Sequence, residues 1–136
     1  MAQVQGDRNH PRLRGTVHFF PCGGGTLVVA DIRGLPDSEM GFFGFHIHEG
    51  SDCGGEGFLD TAGHYNPLEK THPRHAGDLP PLLGAGGRAH MEVLTDRFRV
   101  CDVVGRTVVI HSHPDDFKTQ PSGASGTKIA CGVIRR

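Results

Sequence analysis

The chain has 136 residues and a mass of 14.6 kDa, which predicts one domain spanning residues 1–136 with a single hydrophobic core. Fourteen Lys and Arg residues against fifteen Asp and Glu residues give a formal net charge of -1, so no overall field favours nucleic acid or an anionic membrane as a partner. Ten His and 21 Gly residues are the unusual counts, and together they indicate a metal site built on loops.

Targeting and redox signals are sparse. The residues up to Arg14 contain no apolar run like the core of a signal peptide, and no stretch approaches the ~20 apolar residues of a membrane span. We therefore expect a soluble protein that is cytoplasmic as written, or periplasmic or secreted if a signal has been removed. The four cysteines are far apart and include no C-x-x-C pair, which argues against zinc-finger and thioredoxin-type motifs and leaves one or two disulfides open.

The first half of the chain consists of strand-like runs separated by turn residues. Arg14–Phe20 and Thr26–Ile32 are rich in β-branched and aromatic residues, and the Gly residues between them predict a β-hairpin. A third strand is expected at Gly41–His48. Its alternation places the apolar side chains on one face and His46 and His48 on the other.

The second half begins with a long segment, residues 49–83, that has little periodicity and is therefore suspected of function. No segment of ten or more residues has a helical period, so we predict an all-β fold, an eight-stranded Greek-key β-barrel or sandwich with a metal-binding loop. A second loop is expected at Pro114–Thr127. The remaining predicted strands are Gly87–Leu94, Arg97–Val100, Arg106–His111 and Lys128–Ile134.

The spacing of the histidines indicates metal ligands. His46 and His48 lie two residues apart on a strand, so their side chains project the same way and can hold one ion. Further along, three histidines and a carboxylate follow as H-x7-H-x2-H-x2-D, a closed tetrahedral set suited to zinc. These four residues are His64, His72, His75 and Asp78.

An additional imidazole makes the ligand inventory fit two metals better than one. His111 ends an apolar strand, but spacing alone does not choose between it and His113. A lone histidine is more often a surface or core residue than a ligand, and we apply that interpretation to His10, His18 and His90.

Five segments together resemble the copper/zinc superoxide dismutase family, in its compact bacterial form. They follow the family's order with compatible gaps, and they are Gly44–Glu49, Gly63–Pro67, His75–Leu79, Gly105–His111 and Ala130–Ile134. The resemblance implies dismutation of superoxide to O2 and hydrogen peroxide by a redox-cycling copper that His64 bridges to a structural zinc. A non-catalytic copper-binding or copper-buffering domain on the same fold is the alternative, and a zinc-only structural domain is a third reading.

The resemblance also implies a role for individual residues. It selects His111 over His113, and Asp115 falls where the family has a carboxylate linking a copper histidine to a zinc histidine. Cys53 and Cys131 occupy positions like those of the family's disulfide. The implied copper ligands are His46, His48, His64 and His111, and the implied zinc ligands are His64, His72, His75 and Asp78.

The chain departs from the family pattern at Lys128, where the family has Arg. Because an ammonium is a hydrated point charge and not a planar fork, we expect guidance of the anion to survive and its two-point placement to weaken. His64 and Lys128 are thus the expected catalytic residues. The two loops are shorter than in the animal enzymes and the chain ends soon after the last strand, so we expect a monomer or a dimer unlike the eukaryotic one.

A second disulfide, Cys22–Cys101, is topologically possible. An up-and-down path of the predicted strands brings both cysteines to the same pole of the fold. Two separate thiols are the alternative.

Overall fold

The computed structural model describes residues 1–136 and is built almost entirely of strands. A 3-10 turn at Glu56–Thr61 and a one-turn helix, α1, at Val100–Val103 are its only helical elements. Neither is long and apolar enough to cross a membrane. The strands are β1 Ala2–Gly6, β2 Arg14–Cys22, β3 Gly25–Arg33, β4 Phe42–Phe43, β5 Phe45–His48, β6 Leu82–Leu83, β7 Ala89–Thr95, β8 Thr107–His111 and β9 Lys128–Val133.

Seven strands form one curled antiparallel sheet in the order β5-β8-β9-β1-β2-β3-β7, and β4 pairs with β6 in a second, two-stranded sheet. Because β4 continues into β5 across Gly44 and β6 packs beside β7, the small sheet links the two edges of the large one. The predicted all-β fold is confirmed. There are nine strands and not eight. Of the seven strands that we located in the sequence, Arg97–Val100 is absent and Gly41–His48 is divided between the two sheets, whereas β1 and β6 are additional.

The predicted hairpin is confirmed with longer strands. β2 and β3 pair in register from Arg14 opposite Arg33 to Cys22 opposite Gly25. The two turn residues between them, Gly23 and Gly24, have φ of 54° and 86°. Positive φ at both central positions matches the right-handed twist of the flanking strands, and glycine adopts it without steric cost.

The predicted strand Arg97–Val100 is wrong, because the segment pairs with no strand and instead leads into α1. Only one of its side chains, that of Phe98, is buried, and its ring lies 6.5 Å from that of Phe19 between centroids. The Phe98 carbonyl accepts a hydrogen bond of 2.9 Å from the Thr26 hydroxyl. Because one buried aromatic residue lies between two exposed arginines, the segment has the alternation of polar and apolar residues that is typical of a strand.

Strand β5 is buried on both faces. Phe45 and Ile47 belong to the hydrophobic core, whereas His46 and His48 point to the other face as predicted and are still only 0% and 2% exposed. The long loop that follows β5 covers that second face and creates a buried polar site outside the core.

Candidate metal centre

The loop after β5 returns along this strand and hydrogen-bonds to it as a neighbouring strand would. Ile47 accepts a bond of 2.8 Å from the Tyr65 N–H and donates one of 2.9 Å to the Gly77 carbonyl. These bonds place His64 beside His48 and Asp78 beside His46. A Cβ atom at residue 77 would lie 2.3 Å from the Ile47 carbonyl oxygen, so only glycine permits this approach.

The histidines predicted as ligands come together in two groups. Within each group, one ligand atom from every member lies within 4.8 Å of the others, and all members are buried except the half-buried Asp78. We call them the copper group and the zinc group, after the family's expected metals. The copper group is His46, His48, His64 and His111, and the zinc group is His64, His72, His75 and Asp78.

Unpaired nitrogen atoms inside these groups test whether metal ions fit. His46 Nδ1, His64 Nε2, His72 Nδ1 and His111 Nδ1 are buried and have no hydrogen-bond partner. A buried polar group without a partner costs about 1–3 kcal/mol, so four in one place are unfavourable in a metal-free interior. Nitrogen ligands around copper, and nitrogen plus a carboxylate around zinc, are the donors these ions prefer. The residues present therefore fit both metals.

His64 is the only residue that belongs to both groups. Its Nδ1 lies 2.7 Å from Asp78 Oδ1 and 3.1 Å from His75 Nδ1, on the zinc side. Its Nε2 is unpaired, and the ring is 4.1 Å from that of His46 and 4.9 Å from that of His48 between centroids. The two nitrogens of one imidazole thus have different surroundings.

Asp115 connects the two groups through a second route. Its carboxylate accepts a hydrogen bond of 2.8 Å from His46 Nε2 and one of 2.7 Å from His72 Nε2. Because each Nε2 carries the proton, each Nδ1 is left with a free lone pair for a metal, which explains two of the unpaired nitrogens. Burial acts to raise the pKa of Asp115, but the bonds from His46 and His72 outweigh it and hold the pKa below its usual range.

Glycine at position 123 allows this link. The residue has φ of 73°, and a Cβ atom there would lie 2.0 Å from Asp115 Oδ1 and 2.6 Å from His72 Nε2. Any side chain would therefore displace the carboxylate or the ring from the hydrogen bond that joins them.

The electrostatics of the buried histidines favour ligation. Burial lowers the pKa of His48 to about 2 and that of His111 to about 3, and it also lowers the pKa values of His46 and His75. These imidazoles are therefore neutral near pH 7, as a metal ligand must be. For Asp78, burial opposes ionisation, but the hydrogen bond to His64 outweighs it and lowers the pKa.

Lys128 lies at the edge of the copper group. Its ammonium donates hydrogen bonds of 2.7 Å to the Thr61 hydroxyl and 2.9 Å to the Ala62 carbonyl. That carbonyl also accepts a bond of 2.9 Å from His48 Nδ1, so one oxygen atom separates the lysine from a copper-group imidazole. The side chain is half-buried, and burial lowers its pKa.

Two residues that hold the zinc group were missed from the sequence. The Gln120 side chain accepts a bond of 2.9 Å from the His72 N–H and donates one of 2.7 Å to the His72 carbonyl, so it clamps that residue from the second loop. The Arg97 guanidinium donates to the carbonyls of Pro73, at 2.8 Å, and His75, at 3.1 Å. Neither residue has metal-ligand chemistry, and their contacts with the loop form only on folding, so no sequence signal was available for this role.

The structure brings His111 and not His113 into the copper group. His113 instead places its Nδ1 2.7 Å from the Ser112 hydroxyl. The three histidines that we interpreted as ordinary residues also lie outside both groups. His10 contacts Asp7, His18 stacks on Phe20, and His90 contacts Asp31.

The disulfide that the family resemblance implies is present. Cys53 and Cys131, 78 residues apart, are bonded and tie the metal-binding loop to β9. The Cys22–Cys101 bond is not formed, and both residues are free and exposed. They do reach the same pole, as predicted, where both residues line a groove of about 500 Å³.

Comparisons with known proteins agree with this geometry. The superoxide dismutase [Cu-Zn] 2 of Aquifex aeolicus is 35% identical over 136 residues, covering 89% of this chain and 78% of that protein. The superoxide dismutase [Cu-Zn] of Legionella pneumophila is 35% identical over 133 residues, covering 92% of this chain and 80% of that protein.

Solved structures show the same fold. A SOD-like protein from Bacillus subtilis, in a double mutant that replaces a tyrosine and a proline by histidine, has a TM-score of 0.81 at 29% identity over 99% of this chain and 96% of that chain. The same protein without these changes has a TM-score of 0.78 at 29% identity, covering 96% of this chain and 95% of that chain. The family model for copper/zinc superoxide dismutase (SODC) matches residues 13–134, and with two buried groups of metal-ligand side chains inside that range, the chain belongs to the copper/zinc superoxide dismutase family.

Proposed function

We propose that the protein dismutates superoxide to O2 and hydrogen peroxide at a copper–zinc centre joined by His64. The observation that carries this proposal is the membership of one imidazole in two buried groups of ligand atoms. A domain that binds one metal does not require an imidazole that is shared by two groups of ligand atoms. A purely structural zinc site has no need of three further histidines beside it.

The donor sets support the proposed assignment of copper to one group and zinc to the other. The copper group consists of imidazoles alone, whereas the zinc group adds a carboxylate and makes a closed four-ligand set. When bound, copper supplies the one-electron redox couple and zinc a fixed positive charge on the shared ring. Side chains of the protein would carry out the other two functions, proton transfer and attraction of the anion.

His64 would hold and release a proton at Nε2. Its Nδ1 is fixed on the zinc side, 2.7 Å from Asp78 Oδ1, so the ring cannot turn away when Nε2 changes its partner. Because Nε2 has no hydrogen-bond partner in the protein, a proton on it is available to a reduced oxygen species in the copper group.

Lys128 would attract the anion. Two of its three N–H donors are used by Thr61 and Ala62, which leaves the third free for superoxide. Focusing of an anion toward a positive cleft is a known property of superoxide dismutases, and the near-zero net charge of this chain makes a local charge necessary. The substrate partner is therefore a small anion.

The alternative, a non-catalytic copper-buffering domain, is not favoured. Its one supporting feature was the replacement of Arg by Lys128, and that lysine still places its ammonium beside the copper group. The relatives from Aquifex aeolicus and Legionella pneumophila are both named as dismutases.

Metal analysis combined with a superoxide assay tests the proposal, and the chain offers a matched pair of variants. We expect one copper and one zinc per reconstituted chain, and catalysis that is lost in His111→Ala but kept in His113→Ala, because only His111 lies in the copper group. Tight copper binding with no dismutation beyond that of free copper would establish the buffering alternative. Equal activity in both variants would remove His111 from the site.

A further inference from the structure

Two free thiols line one groove at the pole of the molecule away from Lys128. Cys22 and Cys101 line one groove of about 500 Å³ and are both exposed. Arg136, which follows β9, lines the same groove, whereas Lys128 begins that strand. At ~3.3 Å per strand residue the two ends of β9 are about 17 Å apart, so the thiols lie outside the metal centre.

A buried anchor fixes the two elements that carry these thiols. The Thr26 hydroxyl donates to the Phe98 carbonyl at 2.9 Å, which ties the start of β3 to the segment before α1. Cys22 pairs across the hairpin with Gly25, the residue before Thr26, and Cys101 follows Phe98 by three residues. The backbone positions of both cysteines are therefore within a few residues of the hydrogen bond between Thr26 and Phe98.

Glycine makes the close approach possible. A Cβ atom at Gly25 would lie 2.2 Å from the Thr95 carbonyl oxygen, so only glycine lets the start of β3 lie against the end of β7, three residues before Phe98. At Gly23 and Gly24 the space around a built Cβ atom is empty, and α1 is a single turn. Cys22 is the last residue of β2, beside this open turn, and Cys101 lies in α1, so a disulfide requires these two positions to approach within a Cα separation of about 7 Å.

We propose that Cys22 and Cys101 are a reversible redox pair that hydrogen peroxide oxidises to a disulfide. The thiolate of one cysteine attacks an oxygen of the peroxide, which forms a sulfenic acid and releases water. The second thiol attacks that sulfur, which forms the S–S bond and releases a second water. Two thiols and one peroxide thus give one disulfide and two waters, and the sulfurs supply both electrons.

The source of the oxidant connects this site to the metal centre. Hydrogen peroxide is the product of the proposed dismutation, so this part of the inference rests on the proposed function. The oxidation state of the pair therefore responds to the hydrogen peroxide that the dismutation produces, at a surface away from the metal centre. A thiol reductant returns the disulfide to two thiols.

Thiol counting and peptide mapping test the pair with peroxide added directly, so the result does not depend on dismutation. After treatment of the metal-loaded protein, alkylatable thiols per denatured, unreduced chain should fall from the two free cysteines to none. The intact mass should fall by two hydrogen atoms, a linked peptide should join Cys22 to Cys101, and the rate should not depend on protein concentration. Cys22→Ser and Cys101→Ser should instead gain oxygen at the remaining thiol.

The contrary results are equally distinct. Oxygen adducts on two separate thiols without a linked peptide, or cross-linked chains whose yield rises with protein concentration, would overturn the pairing. A superoxide flux provides the second arm, in which catalase should prevent the bridge. Because superoxide also yields hydrogen peroxide without a catalyst, dismutation is measured in the same protein: a bridge that forms with peroxide, together with no catalysis in the superoxide assay, would uphold the redox pair and count against dismutation.

Discussion

Replacing Lys128 by Glu should lower the rate of superoxide dismutation at low salt by about tenfold and weaken its dependence on ionic strength. The ammonium and His48 Nδ1 both hydrogen-bond the Ala62 carbonyl, each at 2.9 Å, so the charge cannot lie more than about 6 Å from that imidazole. An anion approaching the copper group therefore passes close to it.

The magnitude follows from Coulomb's law. An anion about 8 Å from the ammonium gains about 2 kcal/mol at an effective dielectric constant of ~20 and about 0.5 kcal/mol in bulk water. Reversing the charge doubles the change, which gives a loss between about 1 and 4 kcal/mol. Because Lys128 is only half-buried and water screens it, the lower part of that range applies, and about 1.4 kcal/mol corresponds to a tenfold change.

The assay compares kcat/KM for superoxide at low and high ionic strength. Lys128→Met isolates loss of the charge, and Lys128→Arg should equal or exceed the parent because a guanidinium keeps the charge. Arg135→Glu is the matched control, since it makes the same change in net charge on an exposed side chain beyond the far end of β9. A Lys128→Glu rate within twofold of the parent at low salt, or an equal loss in Arg135→Glu, would refute a guiding role for Lys128.

Three further substitutions test the copper group, the zinc group and the Cys53–Cys131 disulfide separately. His46→Ala should abolish dismutation and leave zinc bound, because His46 is one of the four residues of the copper group and is not among the four of the zinc group, and metal content beside activity measures this. Asp78→Ala should reduce zinc retention and lower the melting temperature, an effect that a chelator should reproduce in the parent protein. Cys131→Ser opens a loop with a sequence separation of 78 residues, so denaturant unfolding should show a loss of about 2–5 kcal/mol of stability, and an unchanged midpoint would show that the bridge contributes nothing.

The sequence predicted the fold class and most strands because period-two alternation survives wherever a strand is buried on one face. It failed at Arg97–Val100, where the alternation came from one buried Phe98 between solvent-facing arginines. It also missed β1, whose alternation Ala2-Gln3-Val4-Gln5 is short and weakly apolar, and whose pairing with β2 and β9 is a long-range property.

For the candidate metal centre, spacing predicted which side chains come together because each histidine pair or quartet is close along the chain. It could not choose between His111 and His113, because that choice depends on the β-bulge between Ile110 and His111. Spacing could not predict the hydrogen bonds between Gln120 and His72, because the two residues come from different loops and meet only after folding.

The sharing of His64 between two metals is tested most directly by electron paramagnetic resonance of the protein loaded with Cu(II) in the copper group and Co(II), standing in for zinc, in the zinc group. If one imidazolate joins the ions, their magnetic coupling should remove the Cu(II) signal that the protein shows with copper alone, and His64→Gln should restore it. A full Cu(II) signal from the parent protein, with both metals bound by elemental analysis, would contradict the shared ligand and the copper–zinc centre proposed around it.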